Sequence, residues 1–116
     1  MTMNASVKTL KASSDFQRLS RQGKRWSCSA FILQTVRKET GIPLCFGLTA
    51  SRKVGNAVIR NRAKRRLREI VQMYFRQNPV TGWDIVLIAK TAAATDDFAV
   101  MQAEFEKGLK AMGVVE

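Results

Sequence analysis

Residues 54–76 read Val54-Gly55-Asn56-Ala57-Val58-Ile59-Arg60-Asn61-Arg62-Ala63-Lys64-Arg65-Arg66-Leu67-Arg68-Glu69-Ile70-Val71-Gln72-Met73-Tyr74-Phe75-Arg76. Ile59, Ala63, Leu67, Ile70 and Tyr74 recur at helical spacing, so this stretch predicts a helix over 56–76 with one apolar stripe. Asn56 is placed to cap its first turn, and Asn78-Pro79 and Thr81-Gly82 stop it. Within this helix lie six cations: Arg60, Arg62, Lys64, Arg65, Arg66 and Arg68. Arg60, Lys64 and Arg68 form one line along it, and Asn61 and Arg65 form the next. Arg62 and Arg66 flank the apolar stripe from its other side. A solvated helix face normally mixes signs, because like charges four apart repel. A helix that keeps this many uncompensated cations calls for an anionic partner.

Outward from the helix, the pattern becomes that of strands. Residues 28–36 and 44–51 are rich in apolar and β-branched types, with turn residues between them. In the second run Leu44, Phe46, Leu48 and Ala50 share a core-facing side. Cys45, Gly47, Thr49 and Ser51 share a small, mildly polar side that suits a groove floor. The unbroken run Ile85-Val86-Leu87-Ile88-Ala89 predicts a strand covered on both faces. Thr95 is placed to cap a last helix, with Asp96 and Asp97 in its first turn and Phe98, Met101, Phe105 and Leu109 as its stripe. Upstream, residues 1–12 look like a loose arm. A short serine-capped helix carrying Asp15 and Phe16 ends near Gly23. Together these elements predict one α+β sandwich domain over 1–116, in the order α-β-β-(β)-α-β-α with the bracketed strand optional.

The charge is lopsided. Of 116 residues, 20 are Lys or Arg and 9 are Asp or Glu, a net charge of +11. Residues 1–68 hold sixteen of the cations and two of the acids, so the positive charge is concentrated in one part of the chain. That asymmetry points to a polyanion, and five of the six helix cations are arginine, whose planar fork matches phosphate oxygens. RNA fits better than the other polyanions. The apolar stripe is needed for the core and no Trp or Phe flanks the basic face, which argues against a membrane surface. Neither a helix-turn-helix pair nor a zipper is visible for DNA.

Histidine is absent, which removes the easiest general base near neutral pH, and no nucleophile or zinc-ligand constellation is present. Cys28 and Cys45 lie in apolar runs and read as buried thiols of a reducing cytoplasm, with a single disulfide as the alternative. Neither a signal segment nor an apolar run of about 20 residues is present, so the expected location is cytoplasmic. Phe16 fits either a core position or a stacking platform for an unpaired base.

The run from Gly47 to Glu69, with Gly55-Asn56-Ala57-Val58 followed by Arg60-Asn61-Arg62, resembles the signature of the bacterial ribonuclease P protein component. The resemblance extends over nearly the whole chain, through Asp15-Phe16, Gly23, Phe31-Ile32-Leu33 and the run Asp84-Ile85-Val86-Leu87-Ile88-Ala89-Lys90. It implies a subunit of a ribonucleoprotein endoribonuclease that removes the 5′ leader of precursor tRNA. In that enzyme the RNA subunit does the hydrolysis and holds most of the magnesium, so the protein alone would not be catalytic. By position, Arg60, Asn61, Arg62, Lys64, Arg65 and Arg68 would contact the ribonuclease P RNA. Phe16, Ser51, Arg52, Lys53 and Lys90 would border the groove for the single-stranded leader. The resemblance also implies a left-handed crossover between the strands before and after the basic helix, against the general right-handed rule. Ser20 and Gln34 stand where the family often carries aromatics, which implies leader stacking of different composition. The alternative function is a ribosomal or other structural RNA-binding protein.

Overall fold

A computed structural model describes residues 7–9 and 24–116. In chain order these form strands β1 (Val7–Thr9), β2 (Lys24–Ser27), β3 (Phe31–Arg37) and β4 (Leu44–Thr49), then helix α1 (Ala57–Gln77), strand β5 (Trp83–Ala89) and helix α2 (Phe98–Ala111). Short 3₁₀ turns at Arg52–Val54 and Thr91–Ala94 precede α1 and α2. The strands make one mixed sheet in the order β1-β4-β5-β3-β2. β4 and β5 are parallel neighbours joined through α1, the βαβ unit to which the resemblance assigns its unusual crossover. β3 runs antiparallel to both β5 and β2. The expected α+β class is therefore observed, and the helix expected just before Gly23 lies outside the described residues.

The sheet forms because its central strands can be buried on both sides. On β5, Ile85, Leu87 and Ala89 join the main core, while Val86 packs on the opposite face with Val36 and the half-buried Cys45 and Ile88. Helix α1 covers the first face with Ala63, Leu67, Ile70, Val71 and Phe75. Helix α2 adds Met101, Phe105 and Leu109, and Phe105 makes edge contacts with Phe31, Tyr74 and Phe75. Gly108 lets α2 pass close over β2: a Cβ there would sit 2.6 Å from the Trp26 ring.

Five expectations need correction. The apolar stripe of α1 is right at Ala63, Leu67 and Ile70, but Ile59 is 37% exposed, Tyr74 is only half-buried, and Val71 and Phe75 fill the core instead. The first turn, with Val58 75% exposed, has no core beneath it. Val7–Thr9, read as part of a loose arm, is a strand paired with β4. The strand expected from residue 28 starts at Phe31, because the Cys28 N–H turns back to the Phe31 carbonyl and makes a tight hairpin with β2. The polar sequence of β2 gave no strand signal of its own. Its conformation comes from pairing with β3 and from packing Trp26 on the core. The strand expected to reach residue 51 stops at Thr49, and Ser51 instead caps the 3₁₀ turn by accepting from the Lys53 N–H. Finally, Asp97 caps α2, its carboxylate accepting from the Val100 N–H at 3.2 Å. Thr95 belongs to the end of the preceding 3₁₀ turn.

Asp84, at the start of β5, is buried and ion-paired to Lys38 at 2.6 Å. The pair fastens the β3–β4 turn to β5 on the sheet face away from the helices. Both cysteines are free thiols, half-buried.

Candidate RNA-binding interface

Helix α1 begins at a tightly specified corner. Gly55 has φ +150°, and a Cβ there would meet the Ile59 side chain at 2.9 Å, so glycine is required twice over. Asn56 then caps the helix as expected, its side-chain oxygen accepting from the Ile59 N–H at 3.0 Å. Arg60 reaches back and donates to the Gly55 carbonyl at 2.9 Å, which leaves its guanidinium half-buried at the helix start.

Beyond that corner the cations sort into two groups. Arg62, Arg65 and Arg68 are exposed, Lys64 is half-buried, and none of the four makes a side-chain hydrogen bond or ion pair among the described residues. Asn61 is exposed beside them. Arg66 is different: it donates to the Ala93 carbonyl at 2.7 Å and to the Asp96 carbonyl at 2.5 Å. It holds the turn leading into α2 and is a structural residue. The charge run hides this distinction, although the place of Arg66 beside the apolar stripe was its signal.

The second group of expected residues gathers where the parallel strands β4 and β5 end and α1 begins. Arg52 and Lys53 are exposed on their 3₁₀ turn, and Ser51 caps it. The Thr91 hydroxyl donates to the Lys53 carbonyl at 3.5 Å, linking this turn to the one after β5. Lys90 is half-buried and donates to the Cys28 carbonyl at 2.7 Å, so it ties β5 to the β2–β3 hairpin. Ser51, Arg52 and Lys53 thus lie beside Lys90 at one end of the sheet. Phe16 and Ser20 lie outside the described residues. Gln34 is 3% exposed, and with its amide oxygen turned towards Arg25 it accepts from Nε at 2.7 Å and Nη2 at 3.0 Å. In place of an aromatic, this position holds a buried glutamine bonded to an exposed arginine.

Tyr74, where α1 faces α2, has its phenol pushed above the usual tyrosine range by burial and by the nearby Glu106 carboxylate. Among the described residues no three His, Cys, Asp or Glu side chains group as metal ligands, and no helix is long and apolar enough to cross a membrane.

A mixed sheet backed by two helices, one of them carrying four cations without a side-chain partner among the described residues, defines a small basic α+β protein with one strongly cationic helix. The family description "Ribonuclease P" matches residues 5–113. Two ribonuclease P protein components are similar along most of their length. That of Gluconacetobacter diazotrophicus is 34% identical, over 90% of each chain. That of Symbiobacterium thermophilum is 36% identical, over 92% of each. Among solved structures, a mutant Staphylococcus aureus RNase P protein with defective mRNA degradation activity superposes with a TM-score of 0.77 at 30% identity, covering 97% of this chain and 92% of that one. The RNase P protein of Thermotoga maritima gives 0.71 at 25% identity, covering 94% and 98%. The chain belongs to the ribonuclease P protein family.

Proposed function

We propose that this chain is the protein subunit of a ribonuclease P ribonucleoprotein, assisting removal of the 5′ leader from precursor tRNA. The observation that carries this reading is the set Arg62, Lys64, Arg65 and Arg68, which share one helix and have no side-chain partner among the described residues. With Arg60 and Asn61 they offer a cationic, fork-shaped donor surface to the backbone of the catalytic RNA. Ser51, Arg52, Lys53 and Lys90 border the path of the single-stranded leader, a role the resemblance also implies for Phe16.

Magnesium, when bound by the RNA, would supply Lewis-acid activation of water and charge neutralisation. Two carboxylates of this chain are already engaged within the fold, Asp84 with Lys38 and Asp97 at the cap of α2, and the metal is assigned to the RNA on this reading. The contribution of the chain is to screen phosphate repulsion where RNA and substrate meet and to grip the leader. The protein alone is not a catalyst on this reading.

The test is binding to a bacterial ribonuclease P RNA as a function of salt. Arg62→Ala, Arg65→Ala and Arg68→Ala should each weaken binding and lower the slope of log K against log salt by about one unit per lost phosphate contact. Unchanged slopes would mean that these side chains only solvate the helix.

A further inference from the structure

At the opposite end of the sheet from the start of α1 lies a cleft of about 430 Å³, in the size range of roughly 300–1,000 Å³ typical of ligand sites. Its walls come from four elements that the chain brings together only on folding. Lys24 projects from β2, Thr35 and Arg37 from β3, and Trp83 opens β5; Met112 and Gly113 close the cleft where α2 ends. The register sets these side chains on one face, since Lys24 pairs with Thr35 and Arg37 pairs with Trp83.

The chemistry of this cleft is specific. Thr35 is 2% exposed, and among the described residues its hydroxyl has no hydrogen-bond partner. A buried hydroxyl without a partner costs free energy that a valine of the same shape would not. The Arg37 guanidinium lies over the half-buried Trp83 ring, 5.6 Å from its centroid, making a flat platform with one cationic layer. Lys24 and Arg37 are both exposed, and neither is in an ion pair among the described residues. A stacking surface, a buried hydroxyl able to donate or accept, and two exposed cations at the rim match a base with its phosphate.

We propose that this cleft is a second RNA contact, which takes one unpaired nucleotide: the base stacks on the Arg37–Trp83 platform, the Thr35 hydroxyl bonds the base edge, and Lys24 and Arg37 hold the flanking phosphates. The choice of RNA as ligand rests on the reading of the chain as an RNA-binding subunit. The site itself does not share residues with the basic helix or with the leader path. It gives the protein a grip on RNA at both ends of its sheet.

The experiment is titration of the isotope-labelled full chain with the single-stranded RNA pentamer A5 and with AMP, followed by two-dimensional NMR. The expected result is saturable shifts of the Trp83 indole N–H and of the Thr35 and Gly113 amides, with the pentamer binding at least tenfold tighter than AMP at these resonances. Thr35→Val should weaken the pentamer at this cleft several-fold while raising the melting temperature, a combination that misfolding cannot produce. Lys24→Ala, an exposed change, should weaken it as well. Unshifted Trp83 and Thr35 signals at millimolar pentamer would overturn the proposal, whether or not α1 signals move. So would AMP binding as tightly as the pentamer, which would make the cleft a free-nucleotide site, or Thr35→Val binding that matches the parent chain. Failure of the RNA-subunit reading would show separately, as α1 signals and cleavage that do not respond to RNA.

Discussion

Arg65 and Arg66 are neighbours in sequence but differ in what they touch. Arg65 is exposed and has no side-chain partner among the described residues, whereas Arg66 spends its guanidinium on two carbonyls before α2. Arg66→Ala should therefore cost about 2 kcal/mol of stability, the loss of charge-assisted bonds to half-buried carbonyls. Arg65→Ala should stay within about 0.5 kcal/mol and lose RNA affinity instead. Denaturant melts of both variants check this directly, and equal destabilisation would contradict it. Tyr74 provides a second test at this scale. Its phenol is held neutral in the folded chain past the pH at which the unfolded chain ionises. The stability it contributes is complete below about pH 10, the ordinary tyrosine value, and is lost as pH rises through the raised folded value. Tyr74→Phe keeps the ring contacts with Phe75 and Phe105 and should flatten the fall in stability above pH 10. Melts at pH 9 and pH 11 would show the difference, and identical alkaline losses in both proteins would count against it.

At the scale of elements, the boundaries carry the energetics. The last helix starts from Asp97, so Asp97→Ala should cost about 1 kcal/mol, whereas Thr95→Ala should cost a few tenths at most. A larger loss at Thr95, measured by urea denaturation, would restore the boundary expected from sequence. That boundary was hard to read because Thr95, Asp96 and Asp97 are all good capping types, and the preceding 3₁₀ turn shifts the start by two residues. Helix α1 and strand β5 were legible because their signals are long and periodic, with a defined cap in one and a full apolar run in the other. Strand β2 was not legible: Lys24, Arg25 and Ser27 are polar and exposed, and only the hairpin to β3 and the seat for Trp26 make it a strand. The apolar stripe of α1 was half legible. The helix outruns its core at the first turn, which leaves Val58 and Ile59 in solvent and moves the buried line towards Val71 and Phe75.

At the scale of the molecule, the topology gathers in space what sequence separates. The residue runs 51–53 and 90–91 are far apart in the chain, but β4 and β5 are parallel neighbours, so both runs emerge at the same end of the sheet, beside the start of α1. Spacing alone could not show this, because it depends on strand order. The resemblance supplied it, by assigning Ser51, Arg52, Lys53 and Lys90 to one groove. The cluster of Lys24, Thr35, Arg37 and Trp83 at the other end was invisible for the same reason, and no motif marks it.

As a whole, the molecule is proposed to work as a protein partner of a catalytic RNA. The most direct test is cleavage of a precursor tRNA at low magnesium by a bacterial ribonuclease P RNA, with and without this protein, and by the protein alone. Cleavage at the mature 5′ end is expected only when both components are present. RNA binding without any effect on cleavage, as expected of a structural RNA-binding protein, or cleavage by the protein alone, would contradict it.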